Sequence, residues 1–329
     1  MEDESPIPVV SLPALKATRP RDRSPTGIAA PAPVTPPVEV SGSGYPDFKF
    51  GVASNIHATN VTPHGGAIGS ADPVHLIYWG SGWETDATLS PVRQQLSTAV
   101  RRILAGPWMS GLRQYGVKRC SFGSERILSN PSPPLLPKTF KGDDVNNAVE
   151  SLIENGNFPE PDEPGGRNLY VVVMPPTAQY QDPDNPARML RGAHGHFNSG
   201  SVIDVDNSWV AWVGNTPQLG TPFTVDALTS TFCHELAEMC TDPEGDGWYV
   251  TGQGPDVGEI GDICNGGDKK ANGITFEAYW SAYDGLCLIP MAWSLRRTLA
   301  GAGVKLNGQG LVARIGTPIP SANKWIVNL

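Results

Sequence analysis

The segment Val225–Thr241 constrains this chain more than any other. Placed on a helix at about 100° per residue, it is apolar around most of its circumference. Leu228, Phe232, Leu236 and Met239 fall on one side, and Cys233, Ala237 and Cys240 extend that surface. Such a helix has to be buried, so the rest of the chain must wall it in on nearly every side. The one polar stripe left holds His234, Glu235, Glu238 and, at the end, Asp242.

Carboxylates buried side by side repel one another and each loses its hydration, which costs several kcal/mol per ion on the usual scale. A bound cation removes that cost. His234 and Glu238 stand one turn apart on the same face and can reach one ion, while Glu235 is offset toward the side a substrate would approach. This is the logic of the His-Glu-x-x-His metallopeptidase helix, with Glu238 in place of the second imidazole. The extra carboxylate keeps zinc as the expected ion and admits manganese or calcium. The competing account of the stripe is ion pairing with nearby Lys or Arg.

A third ligand is expected downstream, where Asp242, Glu244, Asp246, Glu259 and Asp262 are available. Asp242 precedes Pro243 and ends the helix; Glu259 or Asp262 is preferred, because a returning loop can fix geometry that a helix end cannot. The run Asp242–Gly247 has the acid spacing of half a calcium loop but Gln253 at its twelfth position, so it is either a partial cation site or a polar turn. His194 and His196 flank Gly195 and would share one side of an extended segment; they form either a metal-binding pair or two ordinary loop histidines. Cys233 and Cys240 read as small buried apolar residues, and Cys264 with Cys287 can form a bridge in an oxidising compartment.

Around this helix the pattern predicts a single α/β domain of the α+β, mixed-sheet kind, zincin-like, with long irregular loops. Residues 1–46 read as a disordered Pro-rich arm and 47–329 as the mixed α/β metal-binding domain. Strands are predicted at Val74–Trp79, near Val117–Leu128, at Leu169–Met174 and at Trp209–Val213. Helices are predicted from a Ser90 cap to Gly106 and from Asp143 to Gly156. The 37 glycines and 32 prolines account for the loops. A net charge of -9 argues against nucleic acid or an anionic membrane as partner. Small molecules, glycans, peptides and cations remain open, with peptide or glycan as the substrate classes in view. Met1 is followed by Glu2, Asp3 and Glu4 rather than a basic, then apolar leader, which makes the cytoplasm the default location. Asn60-Val61-Thr62 is a glycosylation sequon of little weight.

The run Thr231-Phe232-Cys233-His234-Glu235-Leu236-Ala237-Glu238 is followed by Thr241-Asp242-Pro243, Gly247-Trp248-Tyr249 and Glu259-Ile260-Gly261-Asp262-Ile263-Cys264. Together these blocks resemble microbial relatives of the Exordium, or phosphate-induced protein, family. Leu76-Ile77-Tyr78-Trp79-Gly80, the block from Ile103 to Leu112 and Trp212-Val213-Gly214-Asn215 are similar to other blocks of that family. The resemblance implies a secreted, growth-related protein without established catalysis, yet the plant members lack the His-Glu-x-x-Glu residues present here.

The residues therefore point first to a metal-dependent hydrolase, a zincin-like metallopeptidase. His234, Glu238 and a downstream acid would bind the ion, Glu235 would act as general base, and Tyr249, Tyr279 or Tyr283 would stabilise the oxyanion. The alternative is a non-catalytic, metal-stabilised extracellular protein of the Exordium type, with Trp248-Tyr249 and Tyr279-Trp280 as a glycan-stacking surface.

Overall fold

The computed structural model describes residues 26–29, 49–52, 61–69, 72–128, 139–161, 167–183, 185, 190–199, 206–214, 223–252, 258–282, 285–290, 314–315 and 327–328. In chain order the strands are β1 (Thr26–Ala29), β2 (Lys49–Val52), β3 (Val61–Pro63), β4 (Pro73–Trp79), β5 (Ser121–Leu128), β6 (Thr139–Phe140), β7 (Leu169–Val173), β8 (Gln179–Tyr180), β9 (Leu190–Ser199), β10 (Asp206–Val213), β11 (Trp248–Val250), β12 (Asp268–Ala271), β13 (Ile274–Glu277), β14 (Tyr279–Ser281), β15 (Leu286–Pro290), β16 (Arg314–Ile315) and β17 (Val327–Asn328). The helices are α1 (Gly82–Thr85), α2 (Leu89–Ala105), α3 (Pro107–Gly111), α4 (Gly142–Glu154) and α5 (Val225–Thr241).

A six-stranded mixed sheet organises these elements in the order β1-β9-β10-β7-β4-β5. β5, β4, β7 and β10 run parallel, whereas β9 is antiparallel to β10 and β1 antiparallel to β9. The continuous apolar runs of β4, β7 and β10 follow from burial on both faces. Val74, Leu76, Tyr78, Leu169, Val171, Val173, Trp209, Ala211 and Val213 pack on the side of α2, α3 and α5. Ile77, Trp79, Tyr170, Val172, Val210 and Trp212 pack on the other side, against Val145, Ala148, Val149, Leu152 and Ile153 of α4.

The mixed α/β expectation is met, and α5 spans the residues read from sequence. Two local readings change. Ser90 lies inside α2, and it is the Asp86 carboxylate that caps this end, accepting from the backbone N–H of Thr88 at 2.7 Å and of Leu89 at 3.1 Å. β9 was not foreseen as a strand: Leu190-Arg191-Gly192-Ala193-His194-Gly195-His196 lacks the β-branched alternation that marks one, and pairing with β10 creates it. Within the stretch read as an arm, Thr26–Ala29 is an edge strand that places Thr26 opposite His194. The remainder of 1–46, the loop at 131–137, Asn60 and Tyr283 lie outside the described residues.

Beyond α5 the chain turns back over the helix in small pieces. β12 and β13 form a hairpin whose turn carries Asn272 at φ 51° and Gly273 at φ 79°, the left-handed pair that suits a tight two-residue loop. β14 pairs with β15, and β15 with β2. A disulfide joins Cys264 to Cys287, tying the segment after Gly261 to β15. Cys233 and Cys240 are free and buried, as read. Tyr279 and Trp280 are buried rather than displayed, with the Tyr279 hydroxyl donating to the Trp108 carbonyl at 2.9 Å, so they belong to the core and present no glycan surface. Among the described residues no helix is long and apolar enough to cross a membrane.

His75 on β4 is a buried imidazole with a purely structural setting. Its Nε2 donates to Asn168 Oδ1 at 2.9 Å and its Nδ1 faces the Ser124 hydroxyl at 2.8 Å. Burial holds its pKa below the ordinary 6.5, with the Asn168 bond opposing in part. Its neutral form thus stabilises the fold fully above about pH 6.5, and this contribution is lost as the pH falls from there through the lowered folded value. Urea unfolding of wild type and His75→Gln at pH 7.5, 6.5 and 5 should show the wild type's advantage shrinking with acidification. A constant difference would mean that His75 does not titrate in this way.

Candidate metal centre

Thr224 caps α5, its Oγ1 accepting from the Ala227 N–H at 3.2 Å, and every residue from Leu228 to Thr241 is buried. Its polar stripe faces β9, the turn at 259–262 and the end of β13. Because side chains alternate along a strand, Gly192 and His194 of β9 both point toward α5. A Cβ at Gly192 would stand 2.5 Å from Glu235 Oε1, so only glycine lets the strand approach this closely. Gly261 plays the same part on the opposite wall, where a Cβ would lie 2.6 Å from Glu238 Oε1.

These walls bring two imidazoles to one carboxylate. Glu238 Oε1 is 3.1 Å from His234 Nε2, and Glu238 Oε2 is 3.4 Å from His194 Nδ1. Around His234, the Asp262 Oδ1 atom stands 3.5 Å from Nε2, and Glu277 Oε1 lies behind the ring, 3.4 Å from Nδ1. Around His194, Glu235 Oε2 is 3.4 Å from Nδ1, with Glu259 Oε1 3.3 Å and the Asp242 carbonyl 3.3 Å from Nε2 on the far edge. Two trios follow, His234-Glu238-Asp262 and His194-Glu235-Glu238, and the ligand atoms of each lie within 4.8 Å of one another.

The spacing is informative. Ligands about 2.1 Å from a tetrahedral cation stand about 3.4 Å apart, and the imidazole-to-carboxylate distances within the trios run from 3.1 to 3.5 Å, whereas a good N–H···O bond is nearer 2.9 Å. Neither ring nitrogen of His234 has a hydrogen-bond partner, nor do Glu235 Oε1, Glu235 Oε2 or Glu238 Oε2, and all are buried. Buried polar atoms are rarely left so. Each imidazole also has a carboxylate behind it, the arrangement that orients a metal-ligating histidine.

The electrostatics carry the same message. Burial works against a charged His194 and His234, yet the carboxylates around them, Glu259 first for His194 and Glu238 first for His234, hold both pKa values well above 6.5. Burial drives the Glu259 carboxyl far up and those of Glu235 and Asp262 to about 7. Burial also works against ionised Glu238, but the two imidazoles, His234 foremost, bring it to about 2. Without a metal the cluster must therefore take up protons that a divalent cation would replace.

The expected residues thus occupy distinct places. His234, Glu238 and Asp262 meet as one trio, and Glu235 is turned to His194. Glu259 backs the His194 ring, and Asp242 uses Oδ1 to accept from the Gly247 N–H at 2.6 Å. In the same run Glu244 accepts from Arg167 Nη1 and Trp209 Nε1, while Asp242 Oδ2 is buried with no hydrogen-bond partner. Sequence reasoning weighed His194 only as a partner of His196, which is half-buried outside both trios, and it missed Glu277. Of the oxyanion candidates, Tyr249 stacks on His64 with ring centroids 3.6 Å apart, and Tyr279 is used in the core.

Comparison with protein-family models, curated proteins and solved structures finds no match to this chain. The cluster itself is a group of buried His, Glu and Asp side chains able to hold a metal ion.

If Gly261 is the wall that presses on Glu238, Gly261→Ala should lower unfolding stability by about 1–3 kcal/mol, as overpacking in a tight interior does. Urea denaturation at neutral pH measures this. A change within about 0.5 kcal/mol, the usual effect of an uninvolved surface site, would show that the wall gives way freely.

Proposed function

We propose that this chain is a metal-dependent hydrolase whose α5 is used in the zincin manner, with the ion on His234, Glu238 and Asp262. The observation that carries the reading is His234: a fully buried imidazole with no hydrogen-bond partner on either nitrogen and carboxylates on both edges. An imidazole with two carboxylates is a donor set that suits zinc first and manganese second. Calcium, which takes six to eight oxygens, fits an imidazole pole poorly. When bound, the ion would polarise a substrate carbonyl as a Lewis acid, and a peptide bond is the substrate class in view. Asp262 is the least buried of the three, since its side chain is 10% exposed while that of His234 is 0%.

Glu235, expected as the base, faces His194 instead. Its part depends on what occupies that second trio: without an ion there, its carboxyl at about 7 can carry a proton at neutral pH, and with one it is a ligand. The affiliation with Exordium-type proteins stays part of this proposal, supported by the sequence blocks around α5 and β4. The non-catalytic reading has its own supporting observation, because Glu235 is 1% exposed and sealed behind β9. In that reading the ion clamps α5 to the 259–262 turn.

Elemental mass spectrometry of the purified protein, beside a His234→Ala/Glu238→Ala variant, tests the shared premise: a transition metal is expected in the first and absent from the second. A metal-free wild type from metal-replete medium would remove both readings. Chelation should also lower thermal stability, by an amount approaching 4 kcal/mol for free metal about 1,000-fold above its Kd. Cleavage of a mixed peptide library that stops on chelation and returns with zinc is expected of the hydrolase. Stabilisation by metal without such cleavage would leave the clamp.

A further inference from the structure

We infer that the centre is dinuclear: a second divalent transition cation binds His194, Glu235 and Glu238, with Glu238 bridging it to the ion on His234. This rests on the first trio being a cation site and adds the second. The carboxylate of Glu238 lies between the two imidazoles, its Oε1 toward His234 and its Oε2 toward His194. A carboxylate whose two oxygens face different nitrogen donors is placed to bridge ions about 3.5–4 Å apart, the spacing of paired-metal sites.

A proton is a poor substitute at the His194 pole. Nδ1 has Glu235 Oε2 and Glu238 Oε2 both at 3.4 Å, and one N–H can point at only one of them. A cation accepts the nitrogen and both oxygens at once. Glu235 supplies the independent sign, since it is 1% exposed, both of its carboxylate oxygens lack a hydrogen-bond partner, and Oε2 is aimed into the trio. The strand opposite has no Cβ at Gly192, where one would meet Glu235 Oε1. On the far edge of the His194 ring, Glu259 and the Asp242 carbonyl can accept the Nε2 proton, leaving Nδ1 to bind the ion; Glu277 does the same for His234. Each pole is thus one imidazole, one carboxylate of its own and a share of Glu238.

The full chain, stripped with chelator and reloaded with Mn²⁺, is assayed by elemental mass spectrometry and electron paramagnetic resonance. Two ions per chain in wild type and one in Glu235→Gln and in His194→Ala, each with wild-type circular dichroism, are the expected result. Because a variant can misfold, the wild-type spectrum is a separate reading: a spin-coupled pair is expected rather than the six-line signal of isolated Mn²⁺. One ion in wild type, unchanged in Glu235→Gln, overturns the second site and leaves the first. Two ions that survive in both variants overturn its placement. No ion at all overturns the first site as well.

Discussion

Glu238 is a carboxylate with no exposed surface, placed on a helix whose other sides are apolar, and much of the surrounding structure answers the charge it carries. Left alone in such a place it would lose several kcal/mol of hydration on the usual scale and would be protonated instead. Here it is held at about 2, against its own burial, by two imidazoles that arrive from different parts of the chain. One is local, four residues back on the same helix. The other comes from β9, which reaches α5 only because the sheet delivers it there.

That delivery explains features that otherwise look unrelated. β9 is glycine-rich and a poor strand by propensity, but pairing along β10 from Gly192 opposite Val213 to Ser199 opposite Asp206 keeps it extended. Extension puts Gly192 and His194 on one face, the first as a gap and the second as a ligand-type side chain. On the other wall the Cys264–Cys287 disulfide, the Trp280 N–H to Ile260 carbonyl bond at 2.8 Å and the Asp262 N–H to Glu238 Oε1 bond at 3.0 Å hold the 259–262 turn against the helix. A site of carboxylates is set by such outside constraints, since the carboxylates themselves repel.

What was legible in the sequence was what is local. The period of α5, its apolar circumference and the His234-to-Glu238 step could be read because a helix maps spacing directly onto direction. The acids downstream could be recognised as available, but not aimed: Glu259 and Asp262 are three residues apart, yet one backs His194 and the other joins His234. The meeting of His194 with the acids of α5 was out of reach for a related reason, since Glu235 and Glu238 lie some forty residues away and its strand has no signature of its own. Glu277 ends a hairpin strand and belongs to no motif. Tyr279 and Trp280 were misread as surface because aromatic residues in a Gly- and Asp-rich stretch suggest display, whereas both are buried, Tyr279 against Trp108 of α3.

The two poles differ in depth, and this difference bears on what each can do. The His194 pole is enclosed by β9, by Glu235 at 1% exposure and by Glu259 with none, while at the His234 pole the Asp262 side chain is 10% exposed. An ion on the inner pole would be walled from any substrate, and its effect would be to fix Glu238 and join β9 to α5. An ion on the outer pole would share that fixed carboxylate and would have beside it Asp262, the least buried side chain of the two trios. A structural role and a chemical one are therefore compatible in the same centre: the inner ion would set the geometry, and the low-dielectric surroundings it completes would strengthen whatever polarisation the outer ion exerts.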